Sequence, residues 1–299
     1  MINLNDVKPN KKPSLFEMLP MHEEFKEQFK LYIADGAFTL QQSKIVVSIL
    51  ARNVSKILEK NLNDLIRLLE EAKDYRIIIY ENDSVDDTVE ILNNFASKNE
   101  KIIVTTEKHN RKHYEAVKDL ERTTNLSQYR NKNLSIIADN YRDFDYVIVL
   151  DIDFEEFYPT SLIHSLGVIS TSGCNALCGF SYVIKTIKYQ GNTYYKLWNY
   201  DSWAFRKNHW IDAESSLRTE HNTFSSLWYN YWIPPLGSDP IICNSGFGGM
   251  AIYKTLEYIQ GVYDGSDCEH VSFHYSLNKK IPDFMLACNP SQVILFSEN

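Results

Sequence analysis

Short apolar runs alternate with segments of helical periodicity along the first half of the chain. Four runs have the length of buried strands: IVVSIL from Ile45, YRIIIY from Tyr75, KIIVT from Lys101 and YVIVL from Tyr146. Between them, apolar residues recur at the spacing of helices over 57–69, 85–96 and 125–141. Since strand–helix–strand crossovers are right-handed, this alternation predicts an α/β fold with a mainly parallel central sheet and helices on both faces.

The pattern is less regular on both sides of this region. In the second half we predict a helix over 158–169, strands over 175–184 and 293–296, and a Gly-rich turn, NSGFGGM, that enters another strand. The stretch 188–232 mixes aromatic and polar residues without a period, which is typical of binding loops. Residues 1–43 are polar and contain three prolines, and we interpret them as a helical N-terminal extension with a helix over Met21–Ile33.

Two carboxylates, Asp151 and Asp153, stand where the fourth apolar run ends. In open α/β sheets, ligands bind beyond the carboxyl ends of the strands. Side chains at positions i and i+2 of an extended segment point to the same side, so both acids can converge on one cation. This stretch therefore predicts a ligand site that includes a divalent metal.

Other polar residues follow the first strands or precede the acidic one. Arg52 and Asn53 come after the first strand, Glu81 and Asp83 after the second, and Arg130 lies on the third helix. Carboxylates there can accept hydrogen bonds from a base or ribose, and an Arg can bind phosphate. Two alternatives stay open: Asp83 caps the helix that follows it, and Arg130 pairs with an acid on its own helix.

Composition narrows the classes of partner and compartment. The net charge of −8 argues against nucleic acid as the main partner, and no run of about 18 apolar residues could span a bilayer. Without an apolar leader segment we expect a cytoplasmic protein. The five cysteines are odd in number and scattered, so we expect reduced, buried thiols, and no zinc site at Cys174 and Cys178. The cations of EKHNRKHYEAVKDLERTT, which starts at Glu107, could bind phosphates, but a solvated surface is the favoured interpretation.

A second candidate group lies late in the chain, in DCEHVSFH. Glu269 precedes His270 and His274, and the two histidines share a face if this segment is helical. Manganese accepts imidazole as well as carboxylate, so one of these histidines could complete a site with Asp153. The spacing lacks the Glu after the first His that a zinc protease requires. Glu269 or Asp201 could orient an acceptor hydroxyl or act as a base.

These stretches together resemble glycosyltransferases of the GT-A fold, and among them the fungal capsule-associated α-1,3-mannosyltransferases. The matching pieces, in order, are Ala51 to Asn53, YENDSVDDT from Tyr80, Arg130 with Asn131, the two acids, YDSWAFR from Tyr200, and NSGFGGM. The resemblance covers roughly residues 44–297. Two pieces depart from the family: Asp151-Ile152-Asp153 stands where the family has a sequence like NDV, and DCEHVSFH differs from its Cys-rich element.

The resemblance implies a metal-dependent transferase that acts in polysaccharide biosynthesis. It implies a single GT-A domain over 44–299, with a nucleotide-sugar half at 44–156 and an acceptor half at 157–299. Asp153 would bind Mn²⁺ or Mg²⁺, Asp151 the ribose or the metal through water, and retention of configuration is favoured. The donor-binding residues implied are Ala51, Arg52, Asn53, Glu81, Asp83, Arg130 and Asp151. The acceptor-binding residues implied are Trp203, Arg206, Gly248 and Gly249.

Two other functions are compatible with a strand that ends in two acids. Phosphatases of the haloacid-dehalogenase type carry such a motif on an early strand, with Thr or Val two residues after the second Asp. Here that position is Glu155, and three strands precede the motif. A sugar-binding protein without catalysis could keep the same fold, because a fold does not fix a function. If no nucleotide sugar stabilises the protein in a metal-dependent way, and Asp153→Ala behaves as the wild type, the transferase is excluded.

Overall fold

The computed structural model describes residues 11–114, 117–208, 210 and 229–298. These residues form one sheet, whose strands are β1 Lys44–Ala51, β2 Asp74–Asn82, β3 Ile102–Glu107, β4 Tyr146–Asp151, β5 Glu156–Phe157, β6 Ala176–Tyr189, β7 Asn192–Asn199, β8 Ile241–Cys243, β9 Met250–Lys254 and β10 Leu286–Phe296. Their α-helices are α1 Leu15–Met18, α2 Lys26–Gln42, α3 Ser55–Leu69, α4 Thr88–Lys98, α5 Leu120–Asn140, α6 Pro159–Thr171, α7 Thr255–Tyr258 and α8 Glu269–Lys280. None of these helices combines the length and the apolar character that a membrane crossing requires.

The first half of the sheet is parallel, as the alternating pattern predicted. Strands β3, β2, β1 and β4 lie side by side in this order, and each neighbouring pair is parallel. Leu50 near the end of β1 lies opposite Tyr80 of β2 and Asp151 of β4. The carboxyl ends of these strands therefore meet at one edge of the sheet, where the polar groups follow them.

The second half of the sheet is mixed. Strand β9 is antiparallel to both β4 and β6, while β10 is parallel to β6 and antiparallel to β5 and β8. Strands β6 and β7 form a hairpin. The sequence pattern located β6 and the end of β10, but it did not predict β5, β7 or β8. These three are short or alternate weakly, so their pairing depends on the sheet that is already present.

Two apolar clusters cover the two faces of the sheet. Because successive side chains of a strand point to opposite faces, Ile45, Val47 and Ile49 of β1 belong to one cluster and Val46 to the other. All four side chains are fully buried. The continuous apolar runs thus reflect strands that are covered on both sides, as expected for a parallel sheet between helices.

The N-terminal region contains the predicted helix at shifted boundaries. Helix α2 spans Lys26–Gln42 rather than Met21–Ile33, and it packs closely against α6. A Cβ on Gly36 would lie 1.7 Å from the carbonyl oxygen of Ile163, and a Cβ on Gly167 would lie 2.0 Å from that of Tyr32. Two glycines therefore let the helix backbones approach each other, and α2 is held on the side of the sheet that carries α6.

Candidate active site

A cleft of about 920 Å³ opens at the carboxyl ends of β1 and β4. This volume lies within the range of small-molecule sites in proteins. Its wall combines residues that the sequence singled out with residues that it did not. The first group is Ala51, Arg52, Arg130, Asp151, Asp153, Asp201, Trp203, Gly249, Glu269 and His270. The second group includes Asn82, Lys112, Tyr114, Lys118, Arg122, Asn125, Tyr129, Tyr200 and Phe247.

Hydrogen bonds to the backbone fix the end of β4 and the segment after it, where the two acids lie. The Asp151 N–H donates to the carbonyl of Gly249 at 2.9 Å. Beyond it, the amide of the buried Asn61 donates to the carbonyls of Ile152 and Phe154, both at 2.8 Å. These bonds turn the apolar side chains into the core, and Asp153, which lies between them, is exposed toward the cleft.

Arg130 connects one of these acids to the late acidic residue. Its Nη2 donates to Asp151 Oδ1 and its Nε to Glu269 Oε1, each at 3.2 Å, and its side chain is only 4% exposed. The guanidinium also lies 5.3 Å from the centre of the Phe247 ring, which stacks on His270 at 3.6 Å between centroids. The alternative that Arg130 pairs with an acid on its own helix is wrong, because Asp151 and Glu269 belong to other elements.

Burial and neighbouring charges shift the pKa values of this group. Burial raises the pKa of Asp151, the Arg130 charge opposes that rise, and the Asp153 and Glu269 charges add to it. Desolvation by the walls of the cleft also raises the pKa of Asp153, although its side chain remains accessible from the cleft. For His270, burial and then the Arg130 charge hold the pKa well below its ordinary value, so the imidazole is neutral near pH 7. A neutral imidazole is the form that binds metals.

The residues present fit a divalent metal. Among the described residues, neither ring nitrogen of His270 has a hydrogen-bond partner, although both are buried. Glu269 Oε1 lies 3.5 Å from His270 Nε2. Asp151, Asp153 and His270 line one cleft and supply the types of donor that Mn²⁺ accepts, carboxylate oxygen and a neutral imidazole nitrogen, although among the described residues their ligand atoms do not lie within 4.8 Å of one another.

His274, the other predicted metal ligand, is not part of this group. Its Nδ1 is hydrogen bonded to Ser245 Oγ at 2.9 Å and its Nε2 to the hydroxyl of Tyr253 at 2.8 Å. It does not line the cleft, and burial lowers its pKa to about 3. The helical spacing placed both histidines on α8 correctly, but only the tertiary packing shows that His274 is a buried structural residue.

The Gly-rich turn positions Asp201 at the cleft. The Gly248 N–H donates to Asp201 Oδ2 at 3.0 Å, while burial raises the pKa of this carboxyl. Gly248 has φ = 62°, and a Cβ there would lie 2.2 Å from the carbonyl oxygen of Gly179. Gly249 has φ = 72°, and a Cβ there would lie 2.8 Å from the Phe296 ring. Both glycines are required by the backbone, and Gly249 rather than Gly248 lines the cleft.

Arg206, predicted to bind an acceptor, is instead buried and holds its own loop in place. It is 1% exposed, donates to the carbonyls of Trp203 and Phe205, and its Nη2 donates to both carboxylate oxygens of Asp267 at 3.1–3.2 Å. It does not line the cleft. This pairing holds the segment that carries Asp201 and Trp203, so Arg206 acts on the site by positioning it.

Asp83 anchors the charged segment that follows β3. Its Oδ1 accepts from the N–H groups of His109 and Asn110 at 2.8 and 2.7 Å, and its Oδ2 accepts from the N–H of Arg111 at 3.2 Å. Although burial acts in the opposite direction, these bonds and one from Asn82 lower the pKa of Asp83 to about 2. The helix-capping alternative is wrong, because the acid that accepts from Thr88 at the start of α4 is Asp86.

The remaining predicted donor residues also have structural partners. Arg52 donates to the carbonyls of Arg111 and Lys112 and still lines the cleft. Asn53 accepts from Val85, and the Glu81 carboxylate accepts from the Ser84 N–H at 2.9 Å. Asn53 and Glu81 do not line the cleft. Asn53 therefore joins the loops after β1 and β2, Arg52 joins the first of these loops to the segment after β3, and Glu81 stabilises its own loop.

The segment after β3 lines part of the cleft and stays accessible to solvent. Its described residues Lys112 and Lys118 are exposed and line the cleft, so the predicted solvated surface is compatible with the structure. Helix α5 adds Arg122, Asn125, Leu126, Tyr129 and Arg130 to the same wall. These positions follow the i, i+3, i+4, i+7, i+8 spacing of one helix face, so the sequence carried a signal for this polar wall. That signal is weak without the structure, because polar helix faces usually contact solvent.

The chain was compared with known families and structures. The sequence profile of the family described as Cryptococcal mannosyltransferase 1 matches residues 44–284. The chain belongs to this family. Membership confirms the predicted resemblance and, with the observed sheet, the predicted GT-A fold. The description of this family is consistent with the prediction of a hexosyltransferase. No protein in the curated set matches the chain in sequence.

Solved structures with a similar fold come from several glycosyltransferases. They include mannosyltransferase PcManGT from Pyrobaculum calidifontis in complex with GDP-Man and Mn²⁺, at 11% identity and TM-score 0.47, over 91% of this chain and 65% of that one. S. aureus TarS 1-349 matches at 10% identity and TM-score 0.48, over 85% and 60%. GalNAc-T7 with UDP, GalNAc and Mn²⁺ matches at 13% identity and TM-score 0.49, over 98% and 57%. The chain thus spans less than two thirds of the length of these proteins.

Proposed function

We propose that this protein is a metal-dependent glycosyltransferase that moves a hexosyl group from a nucleotide-sugar donor to a hydroxyl of a glycan-type acceptor. The observation that carries the proposal is the meeting of Asp151, Asp153 and His270 in one cleft with Arg130 and Arg122. Carboxylates with a neutral imidazole suit a divalent cation, and cationic side chains suit a diphosphate. The family membership of residues 44–284 supports the same reaction class.

Asp151, Asp153 and His270 would hold the metal. When bound, a divalent cation neutralises the negative charge that develops on the departing nucleoside diphosphate, which supplies several kcal/mol. Arg122 faces the same cleft and adds positive charge for the phosphates. Arg130 keeps Asp151 oriented through the bond at 3.2 Å, so the acid meets the ligand in a fixed geometry.

The base and ribose of the donor would lie between β1 and α5. Ala51, Asn82 and Tyr129 line this part of the cleft, and the Asn82 amide also donates to the Tyr129 hydroxyl at 3.3 Å. The Tyr129 ring is itself stacked on Tyr80 and His109 and shapes this part of the cleft, and the Asn82 amide offers hydrogen bonds to a base edge. Asp83 is not proposed to contact the base, because both of its oxygens already accept bonds from backbone N–H groups.

The acceptor would lie on the side of Tyr200, Asp201 and Trp203, which together line the opposite wall. Asp201 is fixed by the Gly248 N–H and can accept a hydrogen bond from an acceptor hydroxyl. Glu269 is 4% exposed and paired with Arg130, so it supports the site and is not free to act as a base. We propose retention of configuration, with the proton of the acceptor passing to the departing phosphate.

A donor panel tests the proposal. Thermal shift with UDP-, GDP- and dTDP-sugars, with and without Mn²⁺, should show stabilisation by one nucleotide class only when metal is present. Asp153→Ala should abolish this shift and turnover while leaving the melting temperature of the ligand-free protein within a few degrees, because the exposed acid contributes little packing. Glu155→Ala, two residues further along the chain, is the matched control.

Three outcomes would contradict the proposal. Metal-independent behaviour towards every donor, unchanged in Asp153→Ala, would exclude a metal-dependent transferase. Donor binding without transfer would identify a sugar-nucleotide-binding protein. Hydrolysis of phosphate esters without sugar transfer would identify a phosphohydrolase, although membership in a mannosyltransferase family favours transfer.

The product's anomeric configuration, measured by NMR, tests retention, and cell fractionation tests the predicted cytoplasmic location.

A further inference from the structure

Three cysteines that are far apart in sequence meet in the core of the second half. The sulfurs of Cys178 and Cys288 are 3.0 Å apart, and those of Cys243 and Cys288 are 3.6 Å apart. All three sulfurs lie within 4.8 Å of one another. None of the three residues lines the cleft. These three cysteines form no spacing motif in the sequence, because they are separated by 65 and 45 positions.

The strand register brings the three sulfurs together. Cys178 of β6 lies directly opposite Cys288 of the parallel strand β10. On the other side of β10, Cys243 of β8 lies opposite Leu286, which comes two residues before Cys288 on β10. Residues two apart on a strand share a face, so Cys243 and Cys288 point to the same side of the sheet. The register of β10 with β6 shifts immediately after Cys288.

The spacing of the sulfurs matches that of a thiolate site. Zinc binds thiolate sulfur at about 2.3 Å, so three sulfurs around one ion are separated by about 3.8–4.0 Å. The observed contacts of 3.0 and 3.6 Å, within an outer limit of 4.8 Å, require shifts of less than about 1 Å to reach this spacing.

A lysine lies beside the cluster. Lys207 Nζ donates to the carbonyl of Ile242, next to Cys243. If all three cysteines bind as thiolates, their charges, one divalent cation and the lysine sum to zero.

We propose that Cys178, Cys243 and Cys288 bind one thiophilic d¹⁰ cation, Zn²⁺ or Cu⁺, through their thiolates. Soft sulfur ligands select these ions over Mg²⁺ and Mn²⁺, so this site is chemically separate from the carboxylate cleft. Binding displaces the thiol protons that remain, and these pass to the solvent. The site is structural, since all three sulfurs are buried and the residues are at most 4% exposed.

The cluster lies directly beneath the Gly-rich turn. A Cβ on Gly246 would lie 2.6 Å from Cys178 Sγ and 3.0 Å from Cys288 Sγ, so the turn packs against the sulfurs. The same turn carries Phe247, which stacks on His270, and Gly248, which donates to Asp201. A cation at the cluster would join β6, β8 and β10 and would fix the turn that holds both site residues.

Elemental analysis of the purified full-length chain tests the site. We expect about one zinc or copper per chain in the wild type and less than about a tenth of that in Cys243→Ser. Cys174→Ser is the matched control, because Cys174 is also free and buried but lies outside the cluster, and it should keep the metal. Asp153→Ala should also keep it, which separates this ion from a metal in the cleft.

A second measurement uses only the wild type and does not depend on the folding of a variant. The chain is stripped with a chelator and titrated with Zn²⁺ alone or Cu⁺ alone, and X-ray absorption at the edge of the bound metal counts its sulfur ligands. We expect three sulfurs, protons released on binding, and a higher melting temperature with the ion that the cluster selects. A metal content unchanged in Cys243→Ser, no sulfur ligation in the titrated protein, or a mass two hydrogens lower from a Cys178–Cys288 disulfide would overturn the proposal.

Discussion

Removal of the Arg130 side chain gives the sharpest test of how the cleft is held together. In Arg130→Met the carboxylates of Asp151 and Glu269 lose a partner that bonds each of them at 3.2 Å. Glu269 is 4% exposed, so its charge would be left in the core without compensation. Breaking a buried pair in this way costs about 3–5 kcal/mol. We expect the free energy of unfolding to fall by this amount at pH 8.

The loss should depend on pH, and its sign follows from Asp151. Burial already raises the pKa of this acid and the Arg130 charge opposes the rise, so the variant raises the folded-state pKa further. An acid with a raised folded-state pKa destabilises the fold above its unfolded-state pKa, and the penalty shrinks as pH falls and the folded state takes up the proton. The variant should therefore recover part of its stability between pH 8 and pH 5.

Urea unfolding of the chelator-treated protein measures both effects. Arg76→Met is the control, because Arg76 pairs with Asp74 at 2.8 Å in a partly exposed position where such pairs contribute about 0–1 kcal/mol. In a double-mutant cycle, Glu269→Gln should recover more than about 1 kcal/mol when Arg130 is already absent. A loss in Arg130→Met no larger than in Arg76→Met, with no pH dependence, would refute the buried ion-pair network.

Three further predictions follow from the same geometry. Gly248→Ala should lower the free energy of unfolding in urea by at least about 2 kcal/mol and should lower turnover, because φ = 62° and a backbone contact at 2.2 Å both oppose a Cβ. Gly191→Ala is the control: Gly191 has φ = 77° but open space around it, so the variant should show only the dihedral cost of about 1–2 kcal/mol. His270→Ala should weaken Mn²⁺ binding at least about tenfold in calorimetric titration, whereas His274→Gln should lower the melting temperature and leave the affinity of the folded protein unchanged. Mn²⁺ affinity should fall between pH 8 and pH 6, because the raised pKa of Asp151 lets protons compete there; a flat profile would contradict this.

The first half of the fold could be predicted from local pattern alone. Buried parallel strands are continuous apolar runs and their helices repeat every three or four residues, so β1 to β4 and the helices between them were located within a few residues. The strands of the mixed half were harder to predict from the sequence. Strands such as β8, Ile241–Cys243, are too short for a pattern and form because β10 offers an edge.

Candidate residues were identified more reliably than their roles. The end of an apolar strand indicated Asp151 and Asp153, and both line the cleft. Residue type did not distinguish Arg130, which joins the cleft acids, from Arg206, which is buried against Asp267 away from it. The same holds for His270 and His274, whose difference lies in whether neighbours from other elements already fill their hydrogen bonds.

The sequence by itself determined the apolar alternation, the strand that ends in two carboxylates, and the family to which residues 44–284 belong. These properties depend on near neighbours along the chain. Only the tertiary structure joined Arg130 to Glu269 across 139 positions and brought Cys178, Cys243 and Cys288 together. Such contacts depend on strand order and register, which are decided by packing the whole sheet and have no period in the sequence.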